Sequence, residues 1–160
     1  MQAWIDALQD VWSGIQGRGF TTVRAPYLNK SQDYPDTIDP DQLKSEPIAL
    51  SFPEFARFQA SAGGPNEGFY RGSTDFHIWP NLDLDAIPYI MNWPDLIAQA
   101  AAANLKLGGL VENFILEERD DQITGPISLQ FGNESEHWGY VVHWRVKENK
   151  NASITVATGE

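Results

Sequence analysis

The chain has 160 residues, 42% of them hydrophobic, and carries a formal charge of −11 at pH 7. That length and apolar content predict one folded domain and exclude a disordered chain, while the lack of cysteine excludes disulfides, thiol nucleophiles and cysteine-ligated metals. The acidity argues against a protein that grips nucleic acid, though not against a surface that nucleic acid must slide past without sticking.

Residues 2–16, QAWIDALQDVWSGIQ, place Trp4, Ile5, Leu8, Val11, Trp12 and Ile15 at spacings of three and four. This predicts an amphipathic helix stopped by Gly17 and Gly19. Its start lacks the basic and apolar regions of an export signal, and no apolar run approaches the length of about 18 residues that a membrane span needs. FTTVRAPYL (20–28) is expected to be a short strand that ends at Pro26. The segment 29–46 carries Asp33, Asp36, Asp39, Asp41 and Glu46 among prolines, which predicts a long acidic loop.

PIALSFPEFARFQ (47–59) reads as a strand with Ile48, Leu50 and Phe52 on one face, and Pro53 marks an edge, a bulge or its end. A glycine-rich tip follows at 61–68. FYRGSTDFHIWP (69–80) alternates, with Tyr70, Thr74, Phe76 and Ile78 opposite Arg71, Ser73, Asp75 and His77. A second helical region spans the stretch to Gly108–Gly109, as one kinked helix or two short segments. Asp85 is the expected cap of a first start with Pro88 behind it and Asn92 of a second start with Pro94 behind it, and the alanine run is expected to pack against a sheet. Strands are expected in 110–119 and 126–131, with turns at 120–125 and 132–137. The last long strand, WGYVVHWRVKE (138–148), turns Tyr140, Val142, Trp144 and Val146 one way and Val141, His143, Arg145 and Lys147 the other. Residues 150–160 form a polar tail behind a single domain over 1–149. The fold class is α+β, a mainly antiparallel sheet of five or six strands with two helical regions on one face.

The chain offers little for catalysis. SAGGPNEG has glycines but neither the lysine nor the helix of a phosphate loop. NESEH (133–137) is a solvated hairpin rather than a metal site, and His77 and His143 have no nucleophile placed beside them. No catalytic residue, metal site or cofactor is expected. Trp4, Trp12, Trp93 and Trp144 fall on core faces, which leaves Trp79 and Trp138 as candidates for an interface.

The helix WIDALQDVWSGI, the strands EPIALSFPEF and GFYRGSTDFHIWPN, the helix WPDLIAQAAAANLKLGG and the hairpin GPISLQFGNESEHWGYVVHWRVKE together resemble the tail-terminator family of long-tailed bacteriophages. The resemblance lies in element order, length and texture. It implies a non-enzymatic ring, commonly of six subunits, that caps the tail tube and presents a surface to the head connector. The implied partners are further copies of the chain, the tail tube protein and the connector or stopper, with DNA passing through unbound and no membrane. The implied location is the virion, after assembly in the host cytoplasm. A closing ring contact needs complementary patches. The candidates are Arg71, His143, Arg145 and Lys147 against Asp33, Asp36, Asp39 and Asp41 of a neighbour or lining the lumen. Alternatives are another neck protein such as the head–tail stopper, a dimeric small-molecule-binding α+β domain, or an enzyme built around His77 and His143.

Overall fold

A computed structural model describes residues 3–17, 19–28, 35–59, 67–132 and 135–149. Asp33, the glycine-rich tip at 61–66, Glu134 and the tail from 150 lie outside the described residues.

Helix α1 (Ala3–Ser13) turns Trp4, Ile5, Leu8 and Trp12 inward, the stripe that the spacing predicts. Five strands form one antiparallel sheet: β1 (Ile48–Gln59), β2 (Glu67–Trp79), β3 (Asn113–Leu116), β4 (Ile123–Gln130) and β5 (Glu136–Asn149). Strand β1 pairs β2, and β2 pairs β5. The far edge of β5 is shared between β4, along 136–142, and β3, along 144–147. The second helical region is two segments, α2 (Ile87–Ile90) and α3 (Trp93–Ala102).

Both helical regions lie on one side of the sheet. There Trp4, Trp12, Trp93 and Ile97 pack with Phe76, Tyr140, Val142 and Trp144. Trp12 meets Phe76 edge-on at 5.2 Å, and Trp4 meets Trp144 edge-on at 5.6 Å. The polar atoms beneath α1 form a directional relay. Thr74 Oγ1 accepts from Trp12 Nε1 (3.1 Å) and Trp144 Nε1 (3.0 Å) and lies 2.8 Å from Ser51 Oγ. Ser51 donates to Gln9 Oε1 at 2.5 Å, and Gln9 Nε2 donates to the carbonyls of Pro26 and Ala49. Since Ser51 spends its proton on Gln9, Thr74 must donate to Ser51, and every partner in the relay is satisfied.

Several expectations change. Residues 20–28 form no strand. Arg24 makes a lone parallel bridge to Ile48, and the segment is held by Gln9 at Pro26. Strand β4 begins at Ile123, inside the stretch expected to be a turn. Asp83, not Asp85, caps the second helical region, accepting from the Asp85 amide at 2.9 Å. Of the alanine run only Ala101 is buried. Ile48 and Leu50 do share a face, but it is the side away from the helices, where Ile38 and Leu43 of the acidic loop cover them together with Phe52 and Phe131. The loop is thus strapped to its own sheet. Asp39 caps a short 3-10 turn at Pro40–Gln42 by accepting from the Asp41 amide. A Cβ at Gly132, whose φ is +73°, would run into the backbone of Asp36.

Candidate functional site: a basic and aromatic groove

The strap covers only one end of the sheet's second face. At the other end, β1, β2, β5 and β3 lie side by side with Phe55, Arg71, Arg145 and Ile115 in one cross-strand row. Arg57, Phe69, Lys147 and Asn113 make the next row. These rows line an open groove of about 370 Å³.

A bulge makes this composition possible. In β1, Ile48, Leu50 and Phe52 face the strap at even positions. Pairing then shifts between Pro53 and Phe55, which leaves Glu54 as an extra residue. After an extra residue the odd positions take over the same side, because side chains alternate with period two. Phe55 and Arg57 therefore join the groove, while Phe58 crosses to the helix side and meets Tyr70 edge-on at 5.9 Å. Glu54 folds back to accept from Ser73 Oγ at 2.8 Å.

The electrostatics are uneven. Arg71 pairs with Glu117 at 3.1 Å, and Glu117 is aimed by the hydrogen bond from its backbone N–H to the His143 carbonyl. Lys147 lies 3.3 Å from Glu67 and 3.5 Å from Glu112; its hydrogen bond to Glu67 holds the ammonium above its ordinary range. Arg57 sits over the Phe69 ring at 4.9 Å and Arg71 over Phe55 at 5.7 Å. Arg145 is exposed, and no ion pair to it is found among the described residues. It stands directly across from Arg71. Like charges in opposed cross-strand positions oppose folding, so this pair is better accommodated once an anion arrives.

The four basic positions expected from sequence are thus on one face. Arg71, Arg145 and Lys147 line the groove, whereas His143 stands at its border, across from Ser73 and 3.9 Å from Asp121. Asp36, Asp39 and Asp41 are exposed at the strapped end of the molecule, and Asp33 lies outside the described residues. Sequence reasoning missed Phe55 and Arg57, hidden by the bulge, Phe69, which strict alternation already puts on the side of Arg71, and the neutralising Glu67, Glu112 and Glu117, which are distant in sequence.

The histidines rearrange. His77 does not meet His143; its neighbour is His137, with ring centroids 5.4 Å apart. Both are buried, so His137 is no solvated hairpin residue. Neither ring nitrogen of His77 has a hydrogen-bond partner among the described residues, and burial pushes its pKa down to about 3. Burial, with the Glu54 carboxylate, pushes Asp75 up to about 6. Ser73 donates to Glu54, not to His143, so no serine–histidine pair is assembled. Trp79 and Trp138 are half-buried. Trp79 stacks on Tyr89, and Trp138 donates to the Asp83 carbonyl. Among the described residues no three histidine or carboxylate side chains gather as metal ligands, and no helix is long and apolar enough to cross a membrane. No protein-family description matches the chain, and no curated protein matches it either.

Proposed function

We propose that this chain is a structural protein of the head–tail junction of a long-tailed bacteriophage, a tail terminator that forms a ring, commonly of six copies, on the end of the tail tube. The observation that carries the reading is the exposed Arg145 facing Arg71 across a groove floored by Phe55 and Phe69, in a chain of net charge −11. Such a surface serves contact with an acidic protein surface, and a further copy of the chain supplies one. The order of elements, helix, strand pair, helical region and closing strands, supports the resemblance to terminators. The same acidity suits a conduit, because a negatively charged lumen repels passing DNA.

The reading is tested by negative-stain microscopy of the purified protein, alone and mixed with isolated tail tubes. Open rings seated on tube ends are the expected result. Tubes that remain bare at saturating protein overturn the reading.

A further inference from the structure

The ring reading requires two complementary patches on one subunit, and the groove is one of them. The other must be acidic, must carry apolar side chains for Phe55 and Phe69, and must lie where the same chain cannot reach its own groove. The acidic loop fails the second condition, since its apolar residues Ile38 and Leu43 are buried against its own sheet. Glu117 and Asp121 are occupied with Arg71 and Arg119.

The segment Leu82–Asp83–Leu84–Asp85 meets all three conditions. It alternates apolar and acidic residues and forms an exposed corner ahead of α2, and Leu84 is 75% exposed. The corner is rigid, because Asp83 caps the turn and its carbonyl accepts from Trp138 Nε1 at 2.9 Å. Its two outward groups are the Leu84 side chain and the Asp85 carboxylate, for which no hydrogen bond or ion pair is found among the described residues. The corner follows the end of β2 at Trp79, whereas the groove lies around Phe69 and Arg71. Eight residues of strand separate Arg71 from Trp79, on the order of 25 Å. Groove and corner therefore sit toward opposite ends of the sheet and cannot meet within one chain.

We propose that the Leu84–Asp85 corner of one copy seats in the groove of the next, with Leu84 against Phe55 and Phe69 and the Asp85 carboxylate on Arg145. The contact is head-to-tail, the kind that generates a ring when the rotation closes. It also provides the anion that Arg145 lacks. The proposal rests on the ring reading for its closure, but the contact itself is measurable without a tail.

The test is a charge swap followed by sedimentation velocity. Asp85→Arg and Arg145→Glu each change an exposed side chain, and each alone is expected to weaken self-association at least about tenfold. In Asp85→Arg an arginine meets a basic groove, and in Arg145→Glu an aspartate meets a glutamate. An equimolar mixture restores every contact in an alternating assembly. The corner arginine of the first variant then meets the groove glutamate of the second, and the native Asp85 of the second meets the native Arg145 of the first. Recovery to near wild-type association supports the contact. The contact is overturned if either reversal leaves association unchanged, if the mixture fails to recover while both variants keep the wild-type circular dichroism spectrum, or if the wild-type chain stays monomeric up to about 1 mM. If wild-type protein caps tubes and the swap has no effect, the contact falls and the terminator reading stands. If the swap behaves as expected while tubes stay bare, the contact stands and the terminator reading falls.

Discussion

At the residue scale, the buried His77 and the half-buried Asp75 on the second face of the sheet have opposite effects on acid stability. His77, pushed down to about 3 from an ordinary 6.5, refuses a proton that the unfolded chain accepts. Its contribution is complete above about pH 6.5 and is lost as the pH falls toward 3. Asp75, pushed up to about 6 from an ordinary 3.8, keeps a proton that the unfolded chain has released. Its contribution is complete below about pH 3.8 and is lost as the pH rises through 6. The groups on this face that bear on the pair are His137 beside His77 and Glu54 beside Asp75. Urea unfolding between pH 7 and 4 is therefore expected to show a modest loss of stability on acidification. That loss should steepen in Asp75→Asn and flatten in His77→Phe; identical slopes in all three would contradict the assignment. None of this is legible in sequence. The alternation places His77 and Asp75 on a polar face, but only the strap, arriving from 35–47, makes that face an interior.

At the scale of elements, strand β5 and helix α1 are the most legible, because one periodicity runs through each without interruption and each buries the face it predicts. The segment 20–28 misleads because β-propensity describes a pleated, half-buried surface. This segment is held instead by isolated bridges at Phe20 and Arg24 and by Gln9. In β1 the period breaks at Glu54, which hides half the groove from any pattern that assumes strict alternation. Deleting Glu54 makes Phe55 the direct successor of Pro53, which restores strict alternation and leaves Phe55 and Arg57 on the groove side. Thermal unfolding should then show a loss of about 1 kcal/mol, the cost of the missing bond to Ser73. Glu54→Ala keeps the residue count and removes only the bond to Ser73, at about 1 kcal/mol. A much larger loss on deletion than on Glu54→Ala would show that the strand cannot close over the missing residue.

For the whole molecule, charge acts on two length scales. Copies at −11 each repel one another over distances that salt screens readily, since the Debye length is about 8 Å at physiological ionic strength. The groove contact works at ion-pair distance and yields only at higher salt. Self-association followed by sedimentation should therefore strengthen from about 10 mM to about 150 mM NaCl and weaken again toward about 1 M. A steady decline from the lowest salt would mean that local attraction outweighs net repulsion throughout. The sequence makes the net charge and the basic alternation of 143–147 plain. What it withholds is which carboxylates neutralise them, because Glu67, Glu112 and Glu117 reach Lys147 and Arg71 only through the pairing of β2, β3 and β5.

The strap that ends halfway along the second face divides labour within a single sheet. One half is committed to holding the chain together through Ile38, Leu43, Ile48 and Leu50; the other is built from side chains that the fold does not require. Recognition can therefore drift without endangering folding. A lineage, or an engineer, could re-address this protein to a different partner by rewriting positions 55, 57, 69 and 145, with the scaffold beneath left as it is.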